Sequence, residues 1–113
     1  MKLEKMSSNQ AWQTASSFAA KNDFCKSVGP KAITYQLRFV DGQIVFNCPT
    51  RSNGEDEIVS KEMFIEFIES IQKIEPINTN SIKTKIPNSL YRMRSPMIAL
   101  LKACGLLQEE TNQ

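Results

Sequence analysis

No histidine occurs among the 113 residues. That removes the commonest general base, the usual proton acceptor of serine and cysteine hydrolases, and the most frequent zinc ligand. Glycine is also scarce, and the four present, Gly29, Gly42, Gly54 and Gly105, are scattered singly. A phosphate-cradling loop needs clustered glycines ahead of a helix, so the pattern gives no support to nucleotide-dependent catalysis. Three cysteines, Cys25, Cys48 and Cys104, fall short of a four-ligand zinc site and of the even, dense set in a secreted disulfide scaffold. They read as reduced structural thiols. No apolar run approaches the roughly 20 residues that span a bilayer. The stretch through Trp12, Gln13, Thr14, Ser16 and Ser17 lacks the continuous apolar core of an export signal. A cytoplasm-like compartment without a membrane partner is expected.

Apolar residues make up 41% and charged residues 23%, which at this length suits one hydrophobic core. The reading is a single domain over 1–113, with 1–8 and 108–113 as flexible tails. A formal net charge of +2 is far from that of a generally basic nucleic-acid binder, so any electrostatic function is local. Locally, the charge is segregated. From Glu55 to Glu75 stand seven acids, Glu55, Asp56, Glu57, Glu62, Glu66, Glu69 and Glu75, against Lys61 and Lys73. From Pro76 to Gln108 stand Lys83, Lys85, Arg92, Arg94 and Lys102, with no acid. Such separation either recruits an oppositely charged partner or is neutralised within the fold or across a dimer.

The periodicities describe an α+β fold. Ala11, Ala15, Phe18 and Cys25, with Trp12 and Ala19 beside them, share a helical stripe from Asn9 to about Cys25, capped by Ser8 or Asn9 and stopped by Gly29-Pro30. Two alternating runs over Ile33 to Cys48 flank Asp41-Gly42, the signature of a two-residue hairpin turn. Its register pairs Phe39 with Ile44, Leu37 with Phe46 and Tyr35 with Cys48 on one core-seeking face. Thr34, Gln36, Arg38, Gln43 and Asn47 take a wet outer face, with Val40 and Val45 as its apolar members. Thr50 to Glu57 reads as a solvated loop. Ser60 then caps a central helix that reaches about Ile74, burying Phe64, Phe67, Ile68 and Ile71 and turning Glu62, Glu66, Glu69 and Lys73 outward. Ile82, Thr84 and Ile86 alternate with Lys83 and Lys85, which suggests a third antiparallel strand beside the hairpin. Two short helices follow, about Ser89 to Arg94 and Pro96 to Cys104, the second with Ser95 as cap and Gly105 as stop. Their stripe is Leu90, Met93, Met97, Leu100, Leu101 and Cys104.

No catalytic, cofactor-binding or metal-ligating residue is assigned. Glu55-Asp56-Glu57 lacks the alternating acids, central glycine and distal glutamate of a calcium loop. The terminal helices resemble a helix-turn-helix only in outline. The outward positions of the second, Ile98, Ala99, Lys102 and Ala103, offer one base-reading donor. What remains is the basic segment. Lys83, Lys85, Arg92 and Arg94 are candidates to contact nucleic-acid phosphates, with Tyr91 available to stack on a base. The expected function is a non-enzymatic binding module for nucleic acid. The alternative is a protein-interaction or accessory subunit, including a homodimer in which the acidic helix side meets the basic segment of a second copy.

Overall fold

The computed structural model describes residues 1–27 and 33–109, and the Gly29-Pro30 breaker lies outside them. In chain order the elements are β1 (Lys2–Leu3), α1 (Ser8–Lys21), β2 (Phe24–Lys26), β3 (Thr34–Val40), β4 (Gln43–Asn47), a 3-10 turn (Ser52–Gly54), β5 (Glu57–Val59), α2 (Lys61–Ile71), a 3-10 helix (Asn88–Met93), α3 (Arg94–Ala103) and β6 (Leu107–Gln108). The α+β class holds, with four strands in the main antiparallel sheet, ordered β2-β3-β4-β5, and a separate ribbon of β1 and β6.

Helix α1 starts one residue earlier than the periodicity indicates, because Ser7 and Gln10 form a reciprocal capping box. The Ser7 Oγ accepts from the Gln10 amide at 3.1 Å, and Gln10 Oε1 accepts from the Ser7 amide at 3.1 Å. It ends at Lys21 rather than near Cys25. Asn22 leaves the helix in an extended conformation while donating to the Phe18 carbonyl through both its backbone and its side chain. Phe24–Lys26 then pairs with β3, and the alternation of the strand points Cys25 into the core.

The hairpin adopts the expected register over Phe39↔Ile44 and Leu37↔Phe46. Asp41 and Gly42 take positive φ angles of 52° and 74°, as a turn matched to strand twist requires. Tyr35, Leu37, Ile44, Phe46 and Cys48 are buried. Tyr35 lies opposite Cys25 of β2. Phe39, at the hairpin tip, remains 37% exposed although it meets Trp12 at 6.1 Å between ring centres. The outer face is not uniformly wet, because β5 forms from the last residue of the expected loop, Glu57, through Val59. Its Ile58 stands beside Val45, which is buried, on the face shared with Arg38.

Ser60 caps α2 as expected, its Oγ accepting from the Met63 amide at 3.2 Å. Phe64, Phe67, Ile68 and Ile71 are fully buried, and Glu62, Glu66 and Glu69 are exposed. Helix α1 packs against α2, β3 and β4, with Trp12 edge-on to Phe64 at 5.4 Å. The segment expected as a third strand is instead a succession of turns. Ile86 donates to the Ile82 carbonyl at 3.2 Å, so these two isoleucines reach the core as neighbours one helical turn apart.

At the C-terminal end, α3 begins at Arg94 directly out of the 3-10 helix, so Pro96 is its third residue and Ser95 is not its cap. Gly105, at φ +85°, closes it with a Schellman motif: Leu106 donates to the Leu101 carbonyl at 2.8 Å and Gly105 to Lys102 at 3.1 Å. Helix α3 packs against β2 on one side and β6 on another. Ile98 and Ala99, expected on the surface, are therefore buried, and this helix has no face of base-reading side chains to lay in a groove. Among the described residues of the stretches expected as tails, Lys2 and Leu3 pair with Gln108 and Leu107, and Ile77 donates to the Met1 carbonyl at 2.8 Å; residues 110–113 lie outside the described residues.

Candidate anion-binding cleft

The 3-10 helix meets the loop after β4 through the Arg51 donation to the Arg92 carbonyl. Arg51, Thr79, Tyr91, Arg92, Arg94 and Ser95 line a cleft of about 450 Å³. Three of the five residues singled out from the sequence, Tyr91, Arg92 and Arg94, are brought together there. Lys83 and Lys85 stand exposed on the preceding turns and do not line it.

Each wall has a local cause. Asn78 Oδ1 accepts from the amides of Asn80 and Ser81 at 2.9 and 2.8 Å, an Asx turn that presents the Thr79 carbonyl. Arg94 Nη1 donates to that carbonyl at 2.9 Å, and its Nε donates to the Tyr91 carbonyl at 2.9 Å. The guanidinium so held lies 3.9 Å from the centre of the Tyr91 ring. Behind it, the Tyr35 hydroxyl and Ser95 Oγ share a hydrogen bond of 2.8 Å, which ties β3 to the first turn of α3.

Arg51 holds the cleft together, and the sequence reading passed over it. Its Nη2 donates to the Arg92 carbonyl at 2.7 Å and to Glu57 at 3.2 and 3.4 Å, and its guanidinium sits 5.8 Å from the Tyr35 ring centre. Glu57 occupies the core-side row of the sheet opposite Phe46, and its side chain is 13% exposed. The Nε of Arg51 is buried with no acceptor among the described residues, an uncompensated donor on a residue that lines the cleft. The signal that existed was a lone arginine two residues after Pro49, in a segment dominated by its acids. Two of those acids, Asp56 and Glu57, are engaged rather than simply solvated. Asp56 accepts from Asn47 at 2.9 Å and from Arg38 at 2.6 Å, and these bonds, the Asn47 one foremost, hold its carboxyl below the usual carboxylate range.

Among the described residues the ion pairs are Arg38–Asp56, Arg51–Glu57 and Lys102–Glu109. Arg92 and Arg94 thus line the cleft without a carboxylate partner among them, and none of the described basic residues pairs with the acidic side of α2. Among the described residues no group of three or more Cys, Asp or Glu side chains is placed to hold a metal ion, and no helix is long and apolar enough to cross a membrane. The chain matches no family model, no curated protein and no solved structure.

Proposed function

We propose that the protein is a non-enzymatic binding module that holds nucleic-acid phosphate in the Arg51, Arg92 and Arg94 cleft. The observation that carries this reading is the convergence of three guanidiniums on one concavity, only one of them neutralised by a carboxylate among the described residues. Guanidinium groups present rigid forks of N–H donors that match phosphate oxygens, and they remain charged at any physiological pH. For the same reason they make poor proton acceptors, and the other lining residues, Thr79, Tyr91 and Ser95, bring no activated base. Lys83 and Lys85, a few residues along the chain from Thr79, supply further positive charge for a backbone leaving the cleft.

Fluorescence anisotropy with a labelled oligonucleotide at low salt tests this. Arg92→Glu is expected to weaken binding by at least about tenfold, equally across sequences, whereas Lys61→Glu on α2 leaves it unchanged. Absence of binding to any DNA or RNA at low salt contradicts the reading. The exposed row of Glu62, Glu66 and Glu69 favours a second reading, a protein partner or a second copy that meets the basic cleft through charge. Sizing at two ionic strengths separates them: a salt-sensitive dimer that ignores nucleic acid supports the second.

A further inference from the structure

We infer that the cleft selects single-stranded over double-stranded nucleic acid, one unpaired base stacking on Tyr91 while the neighbouring phosphate is held by Arg92 and the outer edges of Arg51 and Arg94. This rests on the nucleic-acid reading above and narrows it. Tyr91 lines the cleft and is 37% exposed overall. One face of its ring is already covered by the Arg94 guanidinium at 3.9 Å, and Arg94 is fixed by the carbonyls of Tyr91 and Thr79. Ring and guanidinium therefore form a pre-ordered stack, and the base takes the second ring face. A base inside a duplex has both of its faces occupied by neighbouring bases, so it reaches such a platform only by leaving the helix. A strand that is already unpaired stacks without that cost.

The size of the site agrees. At about 450 Å³ the cleft lies in the range of small-ligand pockets, which suits a nucleotide unit of a flexible strand rather than the broad surface of a double helix. Helix α3 does not offset this preference, since its Ile98 and Ala99 are buried. The lining holds guanidiniums, hydroxyls and a ring, which grip backbone and π-face and give little base-edge discrimination.

The test compares a labelled single strand with the same sequence as a blunt duplex, using wild type, Tyr91→Ala and Tyr91→Phe, with adenosine monophosphate as competitor. Thermal unfolding of each variant establishes that it is folded. The single strand is expected to bind about tenfold or more tightly than the duplex. Tyr91→Ala is expected to lose about fivefold or more for the single strand only, and Tyr91→Phe to keep the wild-type affinity. Equal affinity for both forms, or an equal loss for both in Tyr91→Ala, overturns the inference while leaving phosphate binding in place. Competition by the mononucleotide at the affinity of the strand also overturns it, making the site a free-nucleotide pocket. Failure of both forms to bind removes the underlying reading as well.

Discussion

Arg51 shows how one side chain joins separate parts of the chain. It spans the carboxylate of Glu57 and the carbonyl of Arg92, so it fixes the 3-10 helix against the sheet while lining the cleft. Arg51→Ala is expected to lower the unfolding free energy by about 1–2 kcal/mol, with the exposure of the pair tempering the effect, and to weaken oligonucleotide binding. Arg51→Lys restores only part of either, because an ammonium cannot reproduce the planar fork. Chemical denaturation checks the first effect and anisotropy the second. The thiols give a prediction of a different kind. Burial pushes the Cys25 thiol up to about 12, with Cys104 adding to the shift, and pushes Cys104 up to about 11, both from 9.0. A thiol kept neutral by the fold contributes stability that is fully present below pH 9. That contribution is lost as pH rises through 9 toward 11 and 12, because the unfolded chain ionises first. Unfolding midpoints are expected to fall over that range, and less so in Cys25→Ala. Alkylation of the native protein at neutral pH is expected to be slow at Cys25 and Cys104 and fast once the chain is denatured.

At the scale of elements, local rules set what the sequence revealed. The hairpin register and α2 were legible because Asp41-Gly42 and the Ser60 cap act within a few residues, with long enough flanks to show a period. Strands β2 and β5 were missed because three residues are too few to display alternation. Ile82 and Ile86 misled for another reason: a spacing of four satisfies both the strand period and the helical one. The backbone chose the turn, with Ile86 donating to Ile82. Burial of Ile98 and Ala99 was hidden because α3 packs against β2 and β6, two short strands absent from the sequence pattern. The stop of α3 is local again. Gly105 sits at φ +85° in open space, so Gly105→Ala is expected to cost about 1–2 kcal/mol from backbone strain alone, measured as a shift in denaturation midpoint. In the core, Phe64→Ala is expected to cost about 3–5 kcal/mol.

For the whole molecule, charge segregation along the sequence became a spatial separation only in part. Arg92 and Arg94 converge with Arg51, while Lys83 and Lys85 lie outside the lining. The basic half of the site was legible from a count of charges. Its third arginine and the hydroxyls of Thr79 and Ser95 were not, since only the packing of the 3-10 helix on the sheet makes them neighbours. With no histidine in the chain, binding is expected to be flat between about pH 6 and 8, the window in which an unshifted imidazole would titrate.

The most direct measurement is the salt dependence of oligonucleotide affinity for the wild type and Arg92→Ala. If guanidiniums of the cleft neutralise phosphates, log affinity falls linearly with log salt, and the variant reduces that slope by about one unit. A wild-type affinity that ignores salt, or a slope unchanged by Arg92→Ala, contradicts the account.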